Sequence, residues 1–568
     1  MASFQQPQKS LPLVLPWYGR PRKGVSSTKA LRPYSLLKSP ALVDTLDLGN
    51  KAAHLLSRTM YSLTFLVSLQ LDMMSSQLKE ADYDNMMYNS VYGKGPQDVR
   101  EPLYHSEPFW IEANGSIGYQ SKVGTFVANY SQICVDLGAT DDSQIRVATR
   151  FDNADHYIIA EKDVSQVLRQ YTAIVGRPWL KPRYALGYGQ ACYGYDTRKK
   201  VEDIVQGYRD HDFPLDTVHI DVDMQENYRT FTVDQRPHKF PNPSEMFSKL
   251  RRLGVKCSTN ITPFINCEDC LTYETLNQLL QKEYFVPDER YSKGGVTGFE
   301  DQRYVCYEGG ELQILDPNVD RSRLEDGYVF ENSFDGGGFK KNIPYRGGVY
   351  YGKHLGKPGY YPDLNRSEVR HWWGDQYKDL IGHGLEFVWQ DMTSPAISKE
   401  YGDMKSYVSP YVLLTSLLSY QRFPCRLLLT SHDGMRPKQP AIEIWSLYAY
   451  NLHRATFEGW NRSSLRQGKR NFMVGRGSFS GMNRFAGLWT GDTASTWDFL
   501  EIAIPQALAL GLCGIVIAGG DIGGFMPKYQ GEQYADPELL IRWYSACFLL
   551  PWFRSVTPTC IEHQLNKP

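Results

Sequence analysis

No excess of either charge marks this sequence. Its 62 Lys and Arg stand against 63 Asp and Glu over 568 residues, a formal net charge of −1. That balance gives no general basic field to draw the chain to nucleic acid or to an anionic membrane. The stretch from Tyr61 to Leu71 carries Ser and Gln and is too short to cross a bilayer, which needs about 20 residues. The N-terminus shows no apolar h-region behind its first basic residue, Lys9, so no secretory leader is visible. The five N-x-S/T sequons, starting at Asn114, Asn129, Asn260, Asn365 and Asn461, are then expected to be incidental. Ten cysteines spread over the chain do not form a disulfide framework, and Cys267-Glu-Asp-Cys270 is a lone CxxC without a second pair or a neighbouring His. The expectation is a soluble, cytoplasmic protein without a metal site.

Aromatic residues, by contrast, are plentiful. They make up 13% of the chain, with 38 Tyr and 12 Trp. A large Tyr-rich core explains them, and so does a site that stacks flat apolar faces such as sugar rings.

Residues 1–81 mix Pro, Lys, Arg, Ser and Leu without a sustained period and are expected to hold little independent structure. Between residues 82 and 182 short β-branched runs alternate with Gly, Asn and Asp: 124–129, 132–137 and 145–149. They read as antiparallel strands, too few for a complete sandwich. From residue 183 to the end the rhythm is strand then helix, repeated, with a Gly/Tyr-rich insertion at about 285–353. Alternating βα units with nearly continuous apolar strands predict a parallel sheet covered by helices. Seven strands are countable: 184–190, 217–223, 256–261, 385–390, 471–475, 485–489 and 514–518. A doubly wound sheet would carry a Gly-rich phosphate loop after its first strand, and Gly187-Tyr-Gly-Gln-Ala-Cys192 is not one. The predicted fold is therefore an α/β (β/α)8 TIM-type barrel lacking its eighth unit.

In such a barrel the active site sits at the C-terminal ends of the strands. Acidic residues stand there after several strands: Asp221 and Asp223, Asp391, Asp492 and Asp521. Any one of them is explained by capping the following helix. Their repetition, beside Trp389, Trp489 and Phe525 and without a phosphate loop, fits glycoside chemistry.

The motifs Asp221-Val-Asp-Met, Trp389-Gln-Asp-Met, Arg476-Gly-Ser-Phe, Phe485-Ala-Gly-Leu-Trp-Thr-Gly-Asp492 and Gly520-Asp-Ile-Gly-Gly-Phe525, in this order, resemble glycoside hydrolase family 31 from about Tyr83 to Arg554. The resemblance implies Asp391 as nucleophile and Asp492 as general acid, their carboxyl groups about 5–5.5 Å apart. It implies that Asp221 binds the outer hydroxyls of a terminal glucose and that Arg476 and Asp521 orient the sugar and the carboxylates. Trp389, Met392 and Phe525 would line the sugar pocket, although Met392 and Phe525 fit plain core packing as well. No metal or organic cofactor is implied.

Around the nucleophile the family's α-glucosidases read W-x-D-M-N-E. Here the run is Trp389-Gln-Asp-Met-Thr-Ser394, which resembles the α-1,4-glucan lyases, especially those of fungi. The implied reaction on starch, glycogen or maltooligosaccharides is attack on a terminal α-1,4-linked glucose, then elimination to 1,5-anhydro-D-fructose. The alternatives are a retaining α-glucosidase and an inactive relative that only binds glucan. Three departures accompany the resemblance. Only the tail of the family's N-terminal β-sandwich is recognisable, and residues 1 to about 80 do not match it. Residues 406–421 read as an extra block, as an unspliced intron would give. Arg554 is followed by Ser555 and Val556 instead of the family's His, so the eighth strand and helix are expected to be missing, leaving two open sheet edges and a poorly soluble chain.

Overall fold

The described residues of the computed structural model are in the main 105–112, 122–130, 133–136, 144–149, 155–267, 272–286, 359–393, 446–493, 495–525 and 536–557, with short strands elsewhere. Ser394, Cys270 and the block 406–421 lie outside them, as does most of the insertion at 285–353.

Two four-stranded antiparallel sheets stand before the barrel. One runs in the order Tyr34–Lys38, Gln144–Thr149, Ile133–Asp136, Ser62–Phe65, the other Asp155–Glu161, Lys122–Ala128, Phe109–Glu112, Thr45–Asp47. Among the described residues, the strands Tyr34–Lys38, Thr45–Asp47 and Ser62–Phe65 all pair with partners beyond residue 105. Period-2 alternation sends Phe109 and Ile111 to one side of their strand and Trp110 to the other, and both sides are buried. Trp110 packs with Val127, Ile133, Val135, Ile145 and Val147, drawn from both sheets. Phe109 and Ile111 point the other way, where Phe109 stacks on Tyr171 of helix Val164–Val175 with ring centroids 3.9 Å apart.

Eight parallel strands then close into a barrel: β1 (Tyr188–Cys192), β2 (Thr217–Ile220), β3 (Lys256–Ile261), β4 (Phe387–Gln390), β5 (Met473–Gly475), β6 (Gly487–Trp489), β7 (Ala518–Gly519 and Asp521–Ile522, one strand broken at Gly520) and β8 (Phe553–Thr557). Each pairs with the next, and β8 pairs with β1 from Phe553↔Tyr188 to Thr557↔Cys192. The eighth strand expected to be missing is thus present, and Ser555 and Val556 belong to it. It leaves no open edge between first and last strand, which removes the reason given for poor solubility.

Side chains alternate across the barrel wall. Phe387, Trp389, Phe472, Val474, Trp489 and Trp552 fill the interior, whereas Val388, Met473 and Leu488 face the helices. His219 sits in the middle of this aromatic plug, edge-on to Phe387 at 5.0 Å and to Trp552 at 5.6 Å. Other expected boundaries shift for local reasons. Arg183–Leu186 forms a 3-10 turn rather than the start of β1. Before β4 two short helices follow one another, Ser367–Asp375 and Lys378–His383. Of the apolar run 514–518 only Ala518 enters the sheet.

Helices Ser367–Asp375 and Ser446–Arg462 pack at two glycines. A methyl at Gly459 would meet the Gly374 Cα at 2.3 Å, a backbone atom that cannot turn aside. Beside that crossing Thr456 receives Trp373 Nε1 at 3.1 Å and Gln390 Nε2 at 2.6 Å, tying the helix pair to β4. Gly459→Ala is expected to destabilise the protein by about 1–3 kcal/mol, against the gain of about 0.5–1 kcal/mol that the same change brings in an exposed helix. Denaturant unfolding reads the sign.

Candidate active site

Strand ends bring the acidic residues to one mouth of the barrel. Asp221 follows β2 directly. Its Oδ1 accepts from Val222 N–H at 2.7 Å, so it does cap the 3-10 turn Val222–Met224. It also accepts from Asn260 Nδ2 at 2.8 Å. Asp223 turns aside and takes the Gly194 amide at 2.9 Å.

Asp391 follows β4, its backbone N–H bonded to Ile261 O at 3.1 Å. Three groups donate to its carboxylate: Met392 N–H at 2.7 Å and Arg476 Nη1 at 2.6 Å to Oδ1, and Asn260 Nδ2 at 3.0 Å to Oδ2. Met392, φ +51°, adopts the left-handed region that a branchless glycine would enter freely, a local strain at the residue after Asp391. Its sulfur lies 3.5 Å from Arg476 Nη1.

Arg476 leaves the end of β5, anchored by its N–H to Gln390 O at 3.1 Å and by Thr393 Oγ1 donating to its carbonyl at 2.6 Å. The guanidinium lies over Trp489 at 5.2 Å. One of its nitrogens holds Asp391, and the other lies 3.6 Å from Asp492 Oδ2. Two carboxylates from different strand ends therefore share one guanidinium. Asp492, 15% exposed at its side chain, is the more open of the two.

Beneath this mouth lies a second charged layer. Asp521 has no exposed surface. It accepts from Arg554 at 2.7 and 3.2 Å and from Trp489 Nε1 at 2.9 Å. Arg554 in turn stacks on Trp389 at 4.5 Å and Trp489 at 4.8 Å. Asp521 and Trp389, 2% exposed, belong to this floor rather than to the open rim. Phe525, half-buried, is held at the rim by its N–H to Thr493 O at 2.8 Å after two glycines with φ near +80°.

Burial governs the acidities. It pushes the Asp391 carboxyl up to about 7 and Asp521 to about 6, and raises Asp221 well above the usual range. The neighbouring Asp492 adds to the rise at Asp391, and Asn260 and the Met392 N–H oppose it. Linkage fixes the sign for Asp391. The folded state holds this proton more tightly than the unfolded chain, whose carboxyl titrates near 3.8. The stability gained by protonation is complete below that value and is lost as pH rises through about 7, a span on the order of 4 kcal/mol at most. Asp391→Asn should therefore gain in melting temperature relative to the unmodified protein as pH goes from 5 to 8. Parallel melting curves for the two proteins would contradict this.

Two site residues escaped the sequence. Asn260 ties Asp221 to Asp391, and Arg554 balances Asp521. The only signal was polar residues inside strands, Ser258-Thr-Asn260 in β3 and Arg554-Ser555 in β8, all buried. Among the described residues no group of three or more His, Cys, Asp or Glu could hold a metal. No described helix is long and apolar enough to cross a membrane.

A carboxylate held by three donors is kept fixed and aimed, as a nucleophile must be, and a more open acid beside it can exchange protons with solvent. Two carboxylates on one guanidinium, with Asp221 beside them on Asn260, set acidic groups where positive charge would develop on a bound sugar.

Comparison with known proteins agrees with this geometry. The family model described as glycosyl hydrolases family 31 TIM-barrel domain matches residues 178–559. An alpha-glucosidase 2 of Bacillus thermoamyloliquefaciens is 27% identical over 477 residues, covering 84% of this chain and 48% of its own length. An alpha-glucosidase of Saccharolobus solfataricus is 25% identical over 479 residues, covering 83% and 57%. Among solved structures, the alpha-1,4-glucan lyase of Gracilariopsis lemaneiformis, as a covalent intermediate complex with 5-fluoro-idosyl-fluoride, superposes with a TM-score of 0.65 at 22% identity, covering 88% of this chain and 50% of that one. A Flavobacterium johnsoniae dextranase complexed with glucose gives 0.65 at 18%, covering 95% and 52%. At these identities the superpositions show the fold. The chain spans about half the length of the curated relatives it matches.

Proposed function

The chain belongs to glycosyl hydrolase family 31, whose barrel model covers most of it, and on that premise we propose that it cleaves α-linked terminal glucose by a double displacement at Asp391. The observation that carries the reading is the pair Asp391 and Asp492 on the two nitrogens of Arg476. Asp391, held by its three donors, attacks C1. Asp492 protonates the departing glycosidic oxygen, and a covalent glucosyl-enzyme forms. Asp492, now a carboxylate, deprotonates the water that attacks C1, and glucose leaves with its configuration retained. Asp221, fixed by Val222 and Asn260, is the hydroxyl-binding carboxylate. Arg554 and Asp521 hold the tryptophan floor. Met392 and Phe525 line the sugar's apolar face.

Hydrolysis is the outcome favoured by relatives named as alpha-glucosidases. The second reading, elimination to 1,5-anhydro-D-fructose, is favoured by one feature of the sequence: Thr393 and Ser394 stand where the glucosidases carry Asn and Glu. In that case the carboxylate departing from C1 takes the proton from C2, and no water enters. Incubation with maltose and maltopentaose followed by NMR of the products separates them. Glucose released first as the α-anomer supports hydrolysis with retention, and 1,5-anhydro-D-fructose supports elimination. Glucose released first as the β-anomer would overturn the double displacement, and absence of both products would leave the chain a binder of glucan at most.

A further inference from the structure

At the opposite end of the barrel the N-terminal strand ends surround a cavity of about 470 Å³. Its charge is unlike that of the chain as a whole. Six cationic side chains, Arg183, Arg251, Lys256, Arg466, Lys469 and Arg470, line it with a single carboxylate, Glu386. They come from the turn before β1, from helix Pro243–Arg252, from the first residue of β3 and from the segment before β5, so the fold gathers them from four places.

Glu386 is fully engaged. It takes Arg251 Nε at 2.6 Å on one oxygen and Arg466 Nη1 at 3.0 Å on the other, with Lys256 Nζ at 4.0 Å. Arg466, 4% exposed, is locked further by Asn471 Oδ1 at 2.8 Å and the Glu386 carbonyl at 3.0 Å, and lies over Trp460 at 4.9 Å. This buried centre is rigid. The other three, Arg183, Lys469 and Arg470, have no acidic partner among the described residues. Six of the chain's 62 Lys and Arg thus meet in one concavity, and three of the six are uncompensated among the described residues. Guanidinium forks converging on a concave site match the geometry of phosphate oxygens, and a neutral sugar has no use for them. The volume suits a small ligand.

We propose that this cavity binds a phosphate-bearing small molecule, on the barrel face remote from Asp391. Free phosphate and a phosphorylated sugar share that chemistry, and the experiment separates them. Titration calorimetry with inorganic phosphate and with glucose 6-phosphate, at ionic strength held constant with NaCl, is run on the whole chain. It is repeated on Arg183→Ser/Arg470→Ser and on a control of equal charge change, Lys199→Ser/Arg542→Ser. All four positions are exposed, so folding should survive, and circular dichroism checks that it does. Saturable binding that weakens at least tenfold in the first double variant and persists in the control is expected. Tighter binding of glucose 6-phosphate identifies the sugar phosphate as ligand, and equal affinities identify the phosphate group alone. No saturable binding, or the same affinity in all three proteins, would overturn the proposal.

Discussion

Asp391→Asn is expected to lower turnover of maltooligosaccharides by at least about 10⁴-fold, with little change in the affinity for substrate. The side chain is nearly the same size, and its Oδ atom can still accept the Met392 N–H, so the mouth keeps its shape. What is lost is the nucleophile, and no other carboxylate is placed to replace it. Asp221 is tied to Val222 and Asn260, Asp521 lies in the floor with Arg554, and Asp492 has the other role. Asp492→Asn should behave differently. Measured as kcat/KM, which reports the first step, loss of a general acid costs about 10²–10⁴-fold with a poor leaving group, and much less when the leaving group needs no proton, as with α-glucosyl fluoride. Equal losses on both substrates would take the acid role away from Asp492.

The largest expected effect on stability is at Arg554. Its guanidinium is 1% exposed, wedged among Trp389, Trp489 and Trp552, and is the charged partner of a fully buried Asp521. Arg554→Met keeps much of the volume but leaves that carboxylate with Trp489 Nε1 as its remaining donor. Breaking one partner out of a buried pair costs about 3–5 kcal/mol, a fall in melting temperature of roughly 3–4 °C for a chain of 568 residues. The asymmetry of buried charge gives the control. Arg554→Met/Asp521→Asn removes the uncompensated charge and should recover more than half of the loss. A double variant as unstable as the single one would show that the pair's electrostatics are not what the floor depends on. The position makes the loss functional too, because Arg554 lies in β8, the strand that closes the barrel against β1.

These two residues also mark where the sequence was legible and where it was not. Asp391 could be read because it ends an apolar strand, Phe387-Val-Trp-Gln390, and strand ends are where barrel chemistry sits. The strand Lys256–Ile261 is legible from its place in the strand-helix rhythm, directly after the helix Pro243–Arg252. β8 was missed because Phe553-Arg-Ser-Val-Thr557 does not look like a buried strand. Its polar residues are buried only because Asp521, 33 positions earlier, is there to meet Arg554. Asn260 was missed likewise, since its partners stand 39 and 131 residues away. Periodicity reports which faces are apolar, whereas a buried polar residue is intelligible only with its partner in view. The shared guanidinium of Arg476 belongs to the same class.

The claim on which the catalytic account depends is that Asp391 forms a bond to the sugar. It is tested most directly by incubating the protein with 5-fluoro-α-D-glucosyl fluoride, which slows the second step, and sequencing a peptic digest by mass spectrometry. The account predicts one added fluoroglucosyl mass on the peptide containing Asp391, absent in Asp391→Asn. The same label on a peptide containing Asp221, Asp492 or Asp521, or turnover of the reagent without any label on the protein, would contradict it.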